Sequence, residues 1–558
     1  MTALMLIDDY KTGCTHYEGF GCINDVHALI EEHATSKKQI IELHSKVMGS
    51  RLGDVFSYFV SAAGQNSLHE TLRVERFFDP ERAMCALDQD YWNRLIDVIN
   101  VKNFMPAEKR NEWFDSLNEW RKADRYSLAS VKPVPFNRET ALSTAKSLLD
   151  ERKDFFSEMV DGVFKNLSPH HYTNKSEGFS VRMIVDKVMP SVNSNYDKQE
   201  YINDLRKIIG LLFNREGAEN VTSHQLFNDL QKYYGEWVSI DGDSIALKPH
   251  KSGTVHVQVS QEIADALNVV LAYRYPNVIP MKKARGNGRQ KNTFSSDRTY
   301  SLLSEPLPFT VSDYFGEMAR KGVKPKTHDG MPPRYEYSLP GTYLHSQSTN
   351  DDVARIYTMV GGVSKEDNAM TYLFDYDPAP VFEHLFINGT LPDQKSHQFY
   401  PTKNDIRKTA LDMAEVQGHH TVIDPSAGFG DLIDSLPRNA ATTAIEIHSL
   451  AAAVLRAKGF NTIHGDFLSQ HPASVGHFDR VIMNPPYSEG RWVKHVTHAL
   501  SFIKPGGKLV AVLPASAPQS TSMTNIGGGY DVSFSKEYPQ AFEGTFVNVV
   551  IMVVDRHE

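Results

Sequence analysis

Cysteine is scarce in this chain, since the 558 residues include only Cys14, Cys22 and Cys85. A small, odd and unevenly spaced set excludes a disulfide framework and a cysteine zinc site, so all three are predicted to be reduced thiols. Long apolar runs are also missing, because no stretch approaches the roughly 18 residues of a membrane span. The first 30 residues lack the basic and then apolar pattern of a secretory signal. These absences predict a cytoplasmic protein with no membrane partner and no bound metal.

The chain carries a slight excess of acid. Lys and Arg number 59 against 68 Asp and Glu, a formal net charge of −9 at pH 7. This balance excludes a protein that coats nucleic acid nonspecifically, although a local basic groove is compatible with it. With 41% hydrophobic and 23% charged residues, the chain can bury more than one core. Its length predicts roughly three or four domains, and it contains no internal repeat and no low-complexity tail.

The tetrapeptide Asn484-Pro485-Pro486-Tyr487 follows a strand-like run over residues 478–483. A planar exocyclic amine is a poor nucleophile because its lone pair is delocalised into the ring. Two acceptors in one plane, the Asn484 side-chain oxygen and the Pro485 carbonyl, would bind its two N–H groups and free the lone pair for methylation. The prolines keep the carbonyl in place, since φ is fixed and no N–H competes. Tyr487 would stack on a flipped-out base, whereas the plain alternative for the tetrapeptide alone is a turn closing a strand.

Three strand-like segments precede the tetrapeptide. Residues 421–423 lead into the glycine-rich segment 424–430, and residues 431–436 are predicted to start a helix whose N-terminus faces a ligand. The second segment ends in Glu446, about 20 residues later, the spacing at which a carboxylate accepts ribose hydroxyls. The third, 461–464, is followed by Asp466 and Phe467, an acid and a ring that would bind an adenine. In this order the segments predict an α/β nucleotide-binding fold.

Together these motifs resemble the class I S-adenosylmethionine-dependent methyltransferases, in particular the amino-group DNA methyltransferases of restriction-modification type. The resemblance covers residues 399–558 and implies a Rossmann-like α/β domain, in which residues 504–513 and 546–554 correspond to the fifth and last strands. It implies that S-adenosylmethionine binds to Thr402, Asp424, Pro425, Ala427, Gly428, Gly430, Glu446, Asp466 and Phe467. It also implies that the catalytic residues holding the target base are Asn484, Pro485, Pro486 and Tyr487.

The activity that the resemblance implies is methylation of adenine N6 in DNA, in a mobile-element, restriction or phage-defence setting. Two other enzyme classes stay open, because the tetrapeptide is shared with enzymes that methylate a glutamine amide, and close variants occur in those that methylate guanine N2 in ribosomal RNA. A third alternative is a non-catalytic defence or anti-restriction component that binds DNA or cofactor. Because the catalytic fold runs almost to Glu558, recognition of the target is expected from residues before 399 or from a second protein subunit.

Residues 1–285 are predicted to form a mainly helical domain, with a role in target recognition left open. Apolar residues recur at helical spacing over 25–48 and 140–167, which favours a helical core over a partner-binding coiled coil. Residues 236–260 alternate in hydrophobicity around glycine turns and predict a small antiparallel sheet, with a helix following at 262–272. This region is similar to an uncharacterised domain of bacterial plasmid and phage proteins that is often joined to methyltransferases, a likeness that implies a mobile-element setting.

One basic segment in this part of the chain has a composition suited to phosphate contact. It contains no acid, its glycines keep it flexible, and its five cations are Lys282, Lys283, Arg285, Arg289 and Lys291. An interdomain linker is the alternative interpretation of the same residues. Elsewhere in residues 1–285, the pair His170 and His171 has no further potential metal ligand at helical spacing. These two residues are therefore predicted to lie in a loop and not in a metal or nuclease site.

Residues 286–398 are predicted to be an irregular connector or accessory region, because they show no strong period. Most of their aromatic side chains are expected in a core. The alternative is a surface on which bases of a single-stranded or flipped substrate stack.

Overall fold

The computed structural model divides the chain into two compact units. The N-terminal unit comprises Met1–Val238 and Ser244–Lys291, and the C-terminal unit comprises Ser239–Asp243 and Asn292–Glu558. The structure describes residues 20–49, 52, 54–55, 58–59, 78–99, 101–102, 104–123, 127–168, 174, 178–190, 197–213, 215, 217–218, 221–275, 306–327, 332–341, 346–392, 402–437, 439–487, 490–524, 526–541 and 547–558. None of the helices in these ranges is both long and apolar enough to cross a membrane.

The described part of the N-terminal unit is mainly helical. Its helices are α1 (Phe20–Met48), α2 (Pro80–Val98), α3 (Ala107–Asn118), α4 (Leu128–Val131), α5 (Arg138–Asp150), α6 (Arg152–Lys165), α7 (Asp197–Leu212), α8 (His224–Leu230) and α9 (Gln261–Arg274), with 3-10 turns at Glu119–Arg121 and Gln231–Tyr233. Side-chain caps set where two of them begin. Asp79 accepts the amide protons of Glu81 and Arg82 at the start of α2, and Asn137 forms a capping box with Thr140 before α5. The apolar stripe predicted over 140–167 is confirmed, although it is shared between α5 and α6.

Four short strands form one sheet in the order β1-β4-β3-β2: β1 (Arg182–Val185), β2 (Val238–Ile240), β3 (Ile245–Pro249) and β4 (Val255–Val259). They belong to the N-terminal unit, except for the last two residues of β2. Both β1 and β3 pair antiparallel with β4. Buried and half-buried residues alternate along β3 and β4, as a sheet with one covered face requires. The predicted antiparallel sheet is therefore confirmed, and β1 is the strand that its short apolar run did not reveal.

The C-terminal unit contains the larger sheet. Its strands are β5 (Tyr335–Ser338), β6 (Val363–Lys365), β7 (Asn368–Phe374), β8 (Thr421–Asp424), β9 (Ala441–Glu446), β10 (Asn461–His464), β11 (Phe478–Met483), β12 (Ile503–Pro514), β13 (Tyr530–Phe534) and β14 (Val549–Arg556). Its helices are α10 (Phe309–Arg320), α11 (Gln347–Met359), α12 (Ala379–Ile387), α13 (Asn404–Ala414), α14 (Ser449–Ala457), α15 (Pro472–Val475), α16 (Arg491–Ala499) and α17 (Thr521–Thr524), with 3-10 turns at Phe467–Ser469, Leu500–Phe502 and Ala517–Gln519.

Seven strands form one sheet in the order β10-β9-β8-β11-β12-β14-β13. Strands β8 to β12 run parallel, and β14 lies antiparallel between β12 and β13. The chain moves outward from β8 to β10 and then returns to β11 on the other side of β8. Strand order therefore reverses between β8 and β11, and a crevice for a ligand opens at the carboxyl ends of these two strands. The Rossmann-like α/β fold predicted for residues 399–558 is confirmed by this topology.

The amino ends of β8 and β11 are held together by a network around Asp479. One carboxylate oxygen, Oδ2, accepts from the Thr421 amide at 2.8 Å, the Thr421 hydroxyl at 2.7 Å and Lys504 Nζ at 3.0 Å. Burial alone raises the pKa of Asp479, but the hydrogen bonds from Thr421 and Lys504 outweigh it and hold this pKa well below its ordinary value. The network thus fixes the central strands at the edge opposite the crevice.

Residues 306–392 form helices and strands where the sequence predicted an irregular connector. Strands β5, β7 and β6 make a three-stranded sheet, and α10, α11 and α12 accompany it. Aromatic side chains contribute to the core of this segment, among them Phe315, Tyr357, Phe374 and Phe382, and the core continues into Phe429, Leu450, Ala451 and Val454 of the Rossmann-like fold. The expectation of core packing for most aromatics is confirmed for these residues. Periodicity was a poor guide to the strands, because β5, β6 and β7 have only three to seven residues each.

Candidate functional site

Asp424 ends β8 at the crevice and is 1% exposed. Its Oδ1 accepts from the Ser426 amide at 3.0 Å, whereas its buried Oδ2 has no hydrogen-bond partner in the described structure. Burial raises the pKa of Asp424 to about 8, opposed by the Ser426 hydrogen bond and reinforced by the carboxylates of Glu446 and Asp431. A buried oxygen without a partner is costly, so its position marks where a ligand donor or cation fits.

The glycine-rich loop after β8 lies against the end of β9. The Gly428 amide donates to Glu446 Oε2 at 2.8 Å, and the His448 amide donates to Oε1 at 2.7 Å. Gly428 has φ of 54° and Gly430 has φ of 96°, a region that favours glycine. Burial raises the pKa of Glu446, against the hydrogen bonds from the backbone amides of His448 and Gly428. Each carboxylate oxygen can accept a second hydrogen bond, so Glu446 still offers acceptor positions to a ligand.

The prediction that a helix begins over residues 431–436 is wrong. These residues form turns, in which the amides of Ile433 and Asp434 both donate to the Gly430 carbonyl at 2.9 Å. Pro437 accounts for the difference, because a proline disfavours helical geometry in the residue before it and leaves less than two turns after Gly430. Residues 431–436 therefore do not provide a helix N-terminus beside the crevice.

Thr402 connects the loop after β8 with the tetrapeptide after β11. Its amide donates to Asp431 Oδ2 at 3.2 Å, and its hydroxyl accepts from Asn484 Nδ2 at 3.1 Å. The side chain is buried. The structure thus brings together three segments that the sequence predicted separately, and it adds Asp431, which the sequence analysis did not select.

The Asn484 amide is held at both ends. Its Nδ2 donates to Thr402, and its Oδ1 accepts from the Tyr487 hydroxyl at 3.0 Å. The same hydroxyl lies 3.1 Å from the Val512 carbonyl oxygen, and burial raises the pKa of Tyr487 well above its ordinary value, which keeps the hydroxyl a donor. Pro485 is buried, while Asn484, Pro486 and Tyr487 are half-buried. The hydroxyl of Tyr487 is therefore an orienting group that the sequence did not indicate, and stacking by its ring stays a prediction.

The predicted adenine-binding pair lies at the end of β10. Asp466 Oδ1 accepts from the Leu468 amide at 3.0 Å. Phe467 is 3% exposed, and its ring centroid lies 4.8 Å from that of His498 and 5.3 Å from that of Phe502. The ring belongs to the core beneath the site in this structure, so its contact with an adenine stays a prediction.

His495 on α16 is a polar residue of the site that the sequence analysis missed. Its Nδ1 lies 3.4 Å from Ser426 Oγ in the loop after β8, and its ring packs 5.8 Å from that of Phe467. Burial lowers the pKa of His495 to about 4, so the ring is neutral at pH 7. The available signal was its helical spacing from the buried residues Trp492 and Ala499.

Some predicted residues cannot be placed. Lys282, Lys283, Arg285, Arg289 and Lys291 lie outside the described residues, as do His170 and His171. Within the described ranges, no group of three or more His, Cys, Asp and Glu side chains has the arrangement to hold a metal ion.

Comparison with known proteins gives one family match. Residues 84–277 match a domain of unknown function, DUF4942, which covers less than half of the chain. No curated protein matches the chain.

Solved structures similar to this chain include two methyltransferases. Precorrin-6y C5,15-methyltransferase from Geobacter metallireducens is 16% identical, with 28% of this chain and 89% of that chain covered and a TM-score of 0.23. A dimethyladenosine transferase from Plasmodium falciparum is 17% identical, with 28% of this chain and 63% of that chain covered and a TM-score of 0.23.

Proposed function

We propose that the C-terminal unit is an S-adenosylmethionine-dependent methyltransferase that acts on an exocyclic amine, adenine N6 in DNA. The observation that carries this proposal is the position of Asn484. Its amide lies at the carboxyl end of β11, beside the crevice where strand order reverses, and Thr402 connects it to the loop that begins at Asp424. An amide fixed beside this crevice is suited to hold a planar amine against an activated methyl donor that binds there.

The acidic residues at the ends of β8 and β9 fit the proposed cofactor. Asp424 Oδ2 is a buried acceptor that would receive a cationic donor such as an ammonium group. Glu446 has acceptor positions left for ribose hydroxyls. S-adenosylmethionine, when bound, supplies an electrophilic methyl group.

The side chains then account for activation of the amine. Asn484 Oδ1 keeps a second lone pair beside the one that accepts from Tyr487, and the Pro485 carbonyl is the second acceptor. Two acceptors in one plane bind both N–H groups and free the nitrogen lone pair for in-line attack. Because Thr402 and Tyr487 fix the amide before a base arrives, little reorganisation is needed at the moment of reaction. No strong base is required, since the methylated amine becomes acidic and loses its proton late.

The test is transfer of labelled methyl groups to DNA, RNA and protein substrates, followed by identification of the modified group. Label in N6-methyladenine of DNA is the expected result. Label in RNA or in a glutamine amide would support the proposed methyl transfer but contradict DNA as the substrate. Cofactor binding without transfer to any substrate would favour a non-catalytic DNA- or cofactor-binding component. The mobile-element or defence setting, the cytoplasmic location and the second subunit remain predictions.

A further inference from the structure

The segment after α10 concentrates positive charge on an acidic protein. Described residues 320–327 and 332–336 contain five basic residues and one acid, Glu336, a local charge of +4 on a chain of −9. One further acid, Asp329, belongs to residues 328–331, outside the described ranges. Four of the exposed cations, which we call the basic edge, are Lys321, Lys324, Lys326 and Arg334.

Backbone pairing places two of these cations directly opposite each other. Lys326 and Arg334 form an antiparallel bridge, in which the Lys326 amide donates to the Arg334 carbonyl at 2.8 Å and the Arg334 amide donates to the Lys326 carbonyl at 3.0 Å. Opposite residues of an antiparallel pair project from the same face, and like charges in that position destabilise the pair. An anion bound across the pair would remove this repulsion.

The protein neutralises only part of the basic edge. Lys326 Nζ lies 2.6 Å from Glu336 Oε2. Within the ranges that the structure describes, no carboxylate lies within ion-pair distance of Lys321, Lys324 or Arg334. Three cations therefore remain available to an external anion.

Prolines stiffen the two extended segments that carry the cations. Pro325 separates Lys324 from Lys326, and Pro332 and Pro333 precede Arg334. A proline fixes φ and removes an N–H group, so the backbone between the charges has few conformations to lose. A preorganised array of cations binds an extended anion at a lower entropy cost than a flexible linker does.

One helix, α12, contacts both the residue that precedes the basic edge and the first residue of α14. The guanidinium of Arg320, in the last turn of α10, lies 5.2 Å from the ring centre of Phe386 on α12. Two residues earlier on α12, His384 Nε2 lies 3.1 Å from Ser449 Oγ. Ser449 begins α14, three residues after Glu446 at the carboxyl end of β9.

We propose that the basic edge binds the phosphate backbone of the nucleic acid that carries the target base. The inference rests on the proposed function for the polymer it names, and its observations are separate from those of the catalytic residues. Phosphates repeat along a nucleic acid strand. Several cations on proline-stiffened segments can therefore contact several phosphates at once, whereas a single carboxylate would contact only one or two of them. Contacts of this kind position the polymer and do not select its sequence.

The experiment measures binding of a short mixed-sequence DNA duplex to the full chain across a range of salt concentrations. The main variant combines Lys321→Gln, Lys324→Gln and Arg334→Gln. The slope of log affinity against log salt should fall by about two to three, because each lost phosphate contact removes about one released counterion. A control variant with Lys37→Gln, Lys122→Gln and Lys251→Gln removes the same charge from other exposed positions and should leave the slope unchanged.

A second variant tests the opposite sign. Glu336→Gln removes the acid that neutralises Lys326, so affinity for DNA should rise severalfold and its salt slope should steepen. Equal slopes for wild type and the main variant, or equal losses in the main and control variants, would overturn the inference. DNA binding that follows the basic edge in a protein without methyl transfer would retain the inference and refute the proposed function. Calorimetry of S-adenosylhomocysteine binding should give the same affinity for wild type and the main variant, which separates loss of the basic edge from general damage.

Discussion

Two aspartates at opposite ends of the β8–β11 strand pair have opposite environments. Asp479 at the amino ends accepts three hydrogen bonds through one oxygen, and its pKa is held below the ordinary value by these bonds despite burial. Asp424 at the carboxyl end of β8 has one buried oxygen with no hydrogen-bond partner among the described residues, and burial raises its pKa to about 8. The same residue type thus stabilises the sheet at one edge and is left unsatisfied at the other.

This difference separates stability from function along two adjacent strands. A carboxylate with a full set of donors adds stability once it is ionised, whereas a carboxyl group with an unpaired buried oxygen costs stability unless a ligand binds it. Changes at the amino ends should therefore alter folding and leave ligand affinity unchanged, and changes at the carboxyl ends should alter ligand binding or catalysis more than folding.

The largest expected effect is at the carboxyl end of β11. Asn484→Ala should lower the rate of methyl transfer by about a hundredfold to a thousandfold, the usual cost of losing a preorganised polar partner in a transition state. Affinity for S-adenosylhomocysteine, measured by calorimetry, should stay close to wild type because the amide contacts the target amine. Wild-type turnover in a labelled-methyl assay would remove Asn484 from the catalytic site.

A second effect concerns Asp424 and pH. If the cofactor binds its ionised form, affinity for S-adenosylhomocysteine should rise by up to about tenfold from pH 6 to pH 7, since binding must first remove the proton that the raised pKa retains. Asp424→Asn, which cannot ionise, should bind more weakly and with a flat profile over this range. Parallel profiles for the two proteins in calorimetry would assign the pH dependence to another group.

The hydroxyl of Tyr487 should have a smaller effect. Tyr487→Phe keeps the ring and removes the donor to Asn484 Oδ1, so kcat should fall about tenfold, the equivalent of one orienting hydrogen bond. KM for the target should change little if ring contacts with the base are retained. In an Asn484→Ala background the same substitution should have no further effect, because the amide that it orients is gone. Full kcat in Tyr487→Phe would leave stacking as the only role for this residue.

The smallest effect on cofactor binding and catalysis is expected at the amino end of the pair, where the substitution should act on folding instead. Asp479→Asn should lower the free energy of unfolding by about 1–3 kcal/mol, through loss of charge-assisted bonds to Thr421 and Lys504, without changing cofactor affinity. Because the folded-state pKa of Asp479 is lowered, its stabilisation is present above the unfolded value of about 3.9 and is lost as the pH falls below it. Thermal unfolding of both proteins from neutral to acidic pH should therefore converge at the acidic end, and a constant gap would contradict this role.

Much of the larger sheet was predictable because its strands are short apolar runs that end in polar residues. The bounds of β10 and β11 agree with the predicted segments, and β8 and β9 end at the predicted acids, Asp424 and Glu446. Buried parallel strands have near-continuous apolar sequences, which a single chain displays clearly. Residues 431–436 form turns instead of the predicted helix, because Pro437 disfavours helical geometry in the residue before it.

Side-chain partners were harder to predict than strands. The sequence indicated Asn484 and Tyr487 as neighbours, but only the fold shows that one hydroxyl orients the other residue's amide. Thr402 and Asn484 are 82 positions apart, and their hydrogen bond depends on the register of elements between them. His495 resembled any residue on a buried helix face. Pattern analysis identifies the chemistry that a residue type offers, whereas long-range packing decides where that chemistry is directed.

The aromatic core shared by residues 306–392 and the Rossmann-like fold has an evolutionary consequence. Leu450, Ala451 and Val454 on α14 are buried in the same cluster as Phe382 of α12 and Phe315 of α10. A recombination junction near residue 399 would separate these side chains and expose an apolar surface on both products. Recombination that preserves this core would therefore have to keep residues 306–392 and the seven-stranded sheet on the same chain.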